Sequence, residues 1–156
     1  IILIGMPGAG KSSVGVILAK VLGYEFIDTD LVIQHREKRL LREIIADEGN
    51  EGFLAIENEV NATLEADKSV IIYGREAMEH FKEIGTIVYL KLSYEDLAKR
   101  LGNLKGRGVV LKEGQTLKDL YDERSKLYEQ YAEITVDESG KDIQGTILAL
   151  REQIGM

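Results

Sequence analysis

Residues 1–12 read IILIGMPGAGKS, so the pattern G-x-x-x-x-G-K-S fills positions 5–12. A buried strand that ends in such a turn and leads into a helix points backbone N–H groups and the positive helix end at one place, where a phosphate chain can bind. Lys11 adds a mobile positive charge, and Ser12 offers a hydroxyl to Mg²⁺, which prefers oxygen ligands. The stretch therefore predicts a nucleotide-binding domain. The alternative is a chance glycine-rich turn.

Strands and helices are predicted to alternate along the rest of the chain. Apolar residues recur at helical spacing up to Leu22, and Gly23 is a typical helix stop. Apolar runs predict further strands at 26–27, 69–72, 86–92 and 134–136. Helical patterns cover 31–45, 53–66, 77–83, 94–101, 116–132 and 142–154. This alternation favours an α/β fold with a parallel sheet.

Composition narrows the possible classes of protein. The 156 residues, 44% of them hydrophobic, fit one domain over 1–156. A net charge of −7 argues against a nucleic-acid partner. No stretch has the apolar length that a membrane span requires, and we expect the opening apolar run to be a strand and not a signal peptide. The absence of cysteine excludes disulfides and thiolate metal sites and is compatible with the cytoplasm.

Two aspartates, Asp28 and Asp30, follow the second predicted strand directly. Asp30 precedes a helical pattern and is a good helix N-cap in its own right, while Asp28 is typical of a solvated turn. Asp137 and Glu138 follow the last predicted strand, and we expect them to lie on a solvated acidic face.

The whole chain resembles the shikimate kinases. The resemblance rests on the order of the phosphate loop, Asp28-x-Asp30, the segment EGNEGF at 48–53, an arginine-bearing glycine-rich segment, and Arg124-x-x-x-Tyr128. It implies a three-layer P-loop kinase of the nucleoside-monophosphate-kinase-like type, with a five-stranded parallel sheet flanked by helices. It also implies a substrate-binding helical insert at about 31–62 and a lid at about 102–115.

On the nucleotide side, the resemblance implies ATP as co-substrate and Mg²⁺ as cofactor. Ser12 would bind the metal directly, and Asp28 would support it through water. Arg100 would pack against adenine, and Arg107 would close with the lid over the phosphates; the alternative for either arginine is a solvated surface residue. The nucleotide-binding set is Gly8, Ala9, Gly10, Lys11, Ser12, Ser13, Arg100 and Arg107.

On the acceptor side, the resemblance gives Asp30 the substrate hydroxyl and Arg124 the substrate carboxylate, so that Lys11, Asp30 and Arg107 form the catalytic set. The planar guanidinium of Arg124 can form two parallel hydrogen bonds to a carboxylate; an intrahelical ion pair is its alternative role. The implied reaction is the ATP-dependent conversion of shikimate to shikimate 3-phosphate in aromatic amino-acid biosynthesis, by a cytoplasmic monomer. A gluconate-type kinase and a non-catalytic nucleotide-binding regulator are the alternatives.

The chain departs from the family pattern in two places. Leu54 stands where the family usually carries a second carboxylate-binding arginine after the phenylalanine. The family's Gly-Gly-Gly loop after the third strand is also missing, and the region is short by about half a dozen residues, within a typical loop length. We expect the shortness to reflect residues missing between Ile71 and Ile72.

Overall fold

A computed structural model describes residues 1–103 and 114–155 of the chain. Its described residues form one five-stranded sheet in which every neighbouring pair is parallel. The strands are β1 Ile2–Ile4, β2 Glu25–Asp28, β3 Ser69–Tyr73, β4 Ile87–Lys91 and β5 Ile134–Asp137. Their order across the sheet is β2-β3-β1-β4-β5, so the α/β architecture with a five-stranded parallel sheet is confirmed.

The helices of the described residues connect and cover these strands. They are α1 Lys11–Leu22, α2 Thr29–Glu37, α3 Leu41–Asn61, α4 Phe81–Ile84, α5 Tyr94–Asn103, α6 Leu117–Tyr131 and α7 Ile143–Ile154. Their ends follow ordinary capping chemistry: Gly23 ends α1 in the left-handed conformation, and the Thr116 hydroxyl accepts the Asp119 N–H at the start of α6. None of the described helices combines the length and apolar character that a membrane span requires.

The core lies on both faces of the sheet. The three middle strands are almost wholly buried, and their side chains divide between two apolar clusters, one on each face. A third and smaller cluster joins α2 to α3 through Ile33, Ile44, Phe53 and Val60. Both sheet faces therefore exclude water, which is why β1, β3 and β4 read as continuous apolar runs.

The sheet order places a binding crevice at one edge. The chain leaves β1 toward β2 and β3 on one side and reaches β4 and β5 on the other, so the connections diverge at the carboxyl end of β1. Ligands of open parallel sheets bind at such a switch point. Here the crevice lies at residues 5–10, between β1 and α1.

Two helix predictions need correction. The pattern expected to be continuous over 31–45 contains a break, because α2 ends at Glu37, Lys38 turns the chain at φ 55°, and α3 begins at Leu41. Beyond it, α3 runs on to Asn61 with one non-helical residue, Gly49, at φ 73°. The helix expected over 77–83 is only the four-residue α4.

The expected gap between Ile71 and Ile72 is also wrong. Strand β3 passes through both residues without interruption: Ile71 pairs with Ile2 and Ile27, and Ile72 pairs with Leu3 and Asp28. Half a dozen extra residues inside a central strand would destroy this double register. The shortness lies in the connection after β3, where 74–86 reaches β4 through α4 alone.

Candidate active site

The phosphate loop forms as the sequence predicts. It spans residues 5–10, and Gly10 adopts φ 83° at the junction with α1, a conformation that suits glycine. The Lys11 ammonium turns back under the loop and donates hydrogen bonds to the carbonyls of Gly5 (2.7 Å) and Met6 (3.0 Å). Burial lowers the pKa of Lys11 to about 8, and the negative charge of Asp30 partly opposes this effect.

The end of β3 lies directly against this loop. A Cβ atom on Gly74 would lie 3.0 Å from Lys11 Nζ and 3.1 Å from the Gly5 carbonyl oxygen. A side chain at this position would require the lysine and the Gly5 carbonyl to move by a few tenths of an ångström. Gly74 thus brings the turn after β3 to the phosphate loop.

The two aspartates have different roles from those their positions suggested. Asp28, and not Asp30, is the N-cap of α2, because its Oδ1 accepts the Asp30 N–H at 2.9 Å. Burial raises the pKa of Asp28, and the neighbouring charge of Asp30 adds to this. Asp30 lies in the first turn of α2 with a side chain 40% exposed, and its carboxylate forms an ion pair with Arg75. The capping alternative for Asp30 is therefore wrong.

Arg75 is a site residue that the sequence analysis missed. Its Nη2 donates to Asp30 Oδ1, and its Nε donates to Glu57 Oε2 at 2.6 Å. Glu57 is only 2% exposed and also accepts the Tyr73 hydroxyl at 2.9 Å. Burial by itself lowers the pKa of Arg75. The hydrogen bond to Asp30 and the negative charge of Glu57 raise this pKa by more than burial lowers it, so the guanidinium stays charged. The available signal was its position just after a predicted strand, the criterion that singled out Asp28 and Asp30.

Arg124 reaches the same turn from the opposite side. Its Nη1 donates to the Gly74 carbonyl at 2.8 Å, and the Tyr128 hydroxyl donates to the same oxygen at 2.6 Å. These two residues lie one turn apart on α6, which explains their shared acceptor. Arg124 Nε lies 3.6 Å from Glu76 Oε1 and has no hydrogen bond to the described part of the chain. The intrahelical ion pair considered for Arg124 is not what the structure contains.

Arg100 and Glu138 lie beside the phosphate loop. Arg100 Nη1 donates to the Gly8 carbonyl at 3.1 Å, which ties α5 to the loop. Glu138 is 5% exposed, so the expectation that it is solvated is wrong. Burial raises its pKa to about 7, although the charges of Arg100 and Lys11 act in the opposite direction. Its Oε2 has no hydrogen-bond partner among the described residues.

One cavity of about 620 Å³ is lined by the phosphate loop together with Asp28, Asp30, Arg75 and Arg124. Its lining contains eight of the eleven sequence-predicted site residues: Gly8, Gly10, Lys11, Ser12, Ser13, Asp28, Asp30 and Arg124. Ala9 belongs to the loop but is buried and does not line the cavity, and Arg100 donates to the loop from outside the lining. Arg107 and most of the predicted lid lie outside the described residues. The cavity has a size typical of a site for small molecules.

The residues near the loop fit a hard cation. Ser12 and Asp28 both line the cavity and present oxygen ligands. Within residues 1–103 and 114–155, no group of three or more His, Cys, Asp or Glu side chains could hold a metal by itself. A cation here would take its remaining ligands from phosphate and water, which is the usual arrangement for Mg²⁺.

Comparison with known proteins gives a consistent result. A profile of the shikimate kinase family matches residues 7–154. A shikimate kinase of Chlorobium phaeovibrioides is 35% identical over 171 aligned positions, which cover 99% of this chain and 86% of the relative. This alignment is longer than the chain, so the relative carries residues that are absent here.

Solved structures agree with the sequence comparison. The shikimate kinase of Aquifex aeolicus superposes with a TM-score of 0.80 at 29% identity and covers 99% of this chain and 94% of its own. A shikimate kinase from Acinetobacter baumannii in complex with shikimate superposes with a TM-score of 0.79 at 33% identity. The match covers 98% of this chain and 88% of the Acinetobacter chain. Since the match extends over nearly the whole chain in both sequence and fold, the protein belongs to the shikimate kinase family.

Proposed function

We propose that the protein transfers the γ-phosphoryl group of ATP to the 3-hydroxyl of shikimate and releases ADP and shikimate 3-phosphate. The main observation in support is that one cavity is lined by the phosphate loop, Asp30 and Arg124. A nucleotide-binding regulator has no need for the latter two groups. The acceptor is inferred from family membership, and a relative solved in complex with shikimate supports it.

On the nucleotide side, the loop N–H groups and the amino end of α1 bind the phosphates, with Gly8 to Ser13 as the contact segment. Lys11 would leave the Gly5 and Met6 carbonyls for the transferring phosphate, because an anion compensates its buried charge better than neutral carbonyls do. Arg100 is proposed to pack against adenine, from its position beside Gly8. Arg107 keeps its proposed role as a lid residue that neutralises the phosphates.

Ser12 and Asp28 would hold Mg²⁺, the first directly and the second through water. The bound ion would supply neutralisation of the phosphate charge during transfer. Because Asp28 also caps α2, its carboxylate is held at a fixed place beside the loop. Asp28 thus links the orientation of α2 to that of the metal site.

On the acceptor side, Asp30 would accept the hydrogen of the attacking hydroxyl and orient its oxygen toward the γ-phosphorus. A bond forms between this oxygen and phosphorus, the bond from phosphorus to the ADP oxygen breaks, and the hydroxyl proton passes to Asp30. Such a reaction depends mainly on positioning and charge neutralisation. Arg124 would bind the acceptor carboxylate. Because one chain contains all these groups, we propose a monomer, and we propose the cytoplasm as its location.

The test is an ADP-release assay with shikimate, with gluconate and without acceptor, combined with mass spectrometry of the product. We expect ADP release to depend on shikimate and to yield its monophosphate. Asp30→Asn is the matched variant that should lower turnover, and Glu133→Gln on the exposed surface is the control. Turnover with gluconate but not shikimate would favour the gluconate-type alternative, for which the uncharged Leu54 is the motivating residue. ATP binding without turnover on either acid would favour the regulator.

A further inference from the structure

Arg75 occupies the acceptor side of the cavity with part of its guanidinium free. It lines the cavity directly after Gly74, and 21% of its side chain is exposed. Its Nε and Nη2 are bonded to Glu57 and Asp30, whereas Nη1 has no hydrogen bond within the described ranges. One edge of a charged fork is therefore available to a ligand.

The surroundings of Arg75 fix its orientation. The guanidinium carbon lies 5.0 Å from the centre of the Phe53 ring and 5.5 Å from that of Tyr73. Tyr73 also donates to Glu57 and accepts the Ala77 N–H at 2.7 Å, so the partner carboxylate is itself held in place. A cation held in this way loses little conformational entropy when it binds an anion.

Two arginines converge on one peptide unit. Arg124 donates to the carbonyl of Gly74, and Arg75 is the next residue in the chain. No residue of α3 lines this cavity, so neither Leu54 nor any basic residue of α3 supplies a cation to it. The cationic residues of the described lining are Lys11, Arg75 and Arg124. Because Lys11 lies under the phosphate loop, an acid on the acceptor side has Arg75 and Arg124 as its nearest cationic partners.

We propose that Arg75 is a specificity-determining residue that binds the acceptor carboxylate together with Arg124. This inference rests on the proposed function. Arg75 also holds Asp30 Oδ1, which leaves the other Asp30 oxygen for the reacting hydroxyl. The same guanidinium thereby sets the spacing between the two groups that the acceptor must carry, a carboxylate and a hydroxyl.

The experiment measures binding of shikimate and of its uncharged methyl ester by calorimetry to wild type and to Arg75→Gln. We expect Arg75→Gln to weaken shikimate binding by about ten- to a hundredfold. The ester should bind wild type weakly and should lose almost nothing further in the variant, because the carboxylate contact is already gone. The KM for ATP should be unchanged.

Folding is controlled by a second variant. Arg75→Gln alone leaves Glu57 as a buried unpaired carboxylate, so Arg75→Gln is also combined with Glu57→Gln, which removes both charges. Arg36→Gln is the matched control, since Arg36 forms a surface ion pair with Glu59 away from the cavity. A third protein combines Arg75→Gly with Leu54→Arg, and we expect it to recover at least part of the shikimate affinity.

The outcomes separate this inference from the proposed function. If Arg75→Gln weakens the binding of shikimate and of the ester equally, or weakens neither, the proposed role of Arg75 is overturned. This holds even if wild type phosphorylates shikimate. Binding of shikimate that depends on Arg75 without turnover would support Arg75 and refute the proposed reaction. If wild type does not bind shikimate at all, both proposals fail.

Discussion

Glu138 should make the stability of the protein depend on pH near neutrality. Its pKa is raised from 4.5 to about 7, mainly by burial, so the folded state binds the proton more tightly than the unfolded state. Protonated Glu138 therefore contributes to the free energy of unfolding. This contribution is fully present below about pH 4.5 and is lost as pH rises through about 7. This change in pKa corresponds to about 3 kcal/mol, which we reduce to about 1–2 kcal/mol because a folded protein relaxes around an ionised buried carboxylate and readmits water to it.

The assay is urea unfolding followed by circular dichroism at about pH 5 and about pH 8, on wild type and Glu138→Gln. The amide keeps the shape of the side chain but does not titrate. From about pH 5 to about pH 8, we expect the free energy of unfolding of wild type to fall by about 1–2 kcal/mol more than that of Glu138→Gln. Glu133→Gln, at an exposed position, should behave as wild type. An equal pH dependence in all three proteins would refute the argument and would mean that Arg100 and Lys11 keep Glu138 ionised.

Four further substitutions test the cavity itself. Lys11→Ala should lower kcat by about a hundredfold or more in single-turnover assays while the circular dichroism spectrum is retained, because the ammonium acts on the transferring phosphate; near-normal kcat would contradict the kinase mechanism. Asp30→Asn should lower kcat by about a hundredfold or more with little change in KM for ATP, because Asn cannot accept the proton; an unchanged rate would exclude Asp30 as the base. Arg124→Lys should raise KM for shikimate about tenfold and leave that for ATP unchanged, because ammonium cannot form two parallel bonds; an unaltered KM would place the carboxylate elsewhere. Gly74→Ala should weaken ATP binding measured by calorimetry, since its methyl group would lie 3.0 Å from Lys11 Nζ; unchanged affinity would show that the loop moves away freely.

The parts of the fold that are coded locally could be predicted from sequence. The phosphate loop, its flanking strand and α1 follow from a continuous pattern within residues 1–22, and the end of α1 at Leu22 is as expected. The parallel sheet follows from the alternation of elements. Helix boundaries around Lys38 and Gly49 were harder to predict from sequence. A residue with positive φ ends a helix at Lys38 but only interrupts one at Gly49.

The site residues missed from sequence depend on contacts between distant segments. Arg75 lies 45 positions from Asp30 and 18 from Glu57, so no short-range sequence pattern predicts their hydrogen bonds. Glu138 was assigned to solvent because acidic residues are usually exposed. Its burial arises only when α5, the phosphate loop and the end of β5 come together, as the proximity of Arg100 to both Gly8 and Glu138 indicates.

The turn after β3 offers a physical reason why nucleotide and acceptor binding should influence each other in this protein. The Cα of Gly74 faces Lys11 and the phosphate loop, while its carbonyl accepts both Arg124 and Tyr128. Arg75, the next residue, holds Asp30. Movement of the lysine toward a bound phosphate would free the space beside the Gly74 Cα, and a shift of the turn into that space would be transmitted to both arginines. Coupling between the two substrates therefore needs only the small displacement of one peptide unit that is packed on both sides.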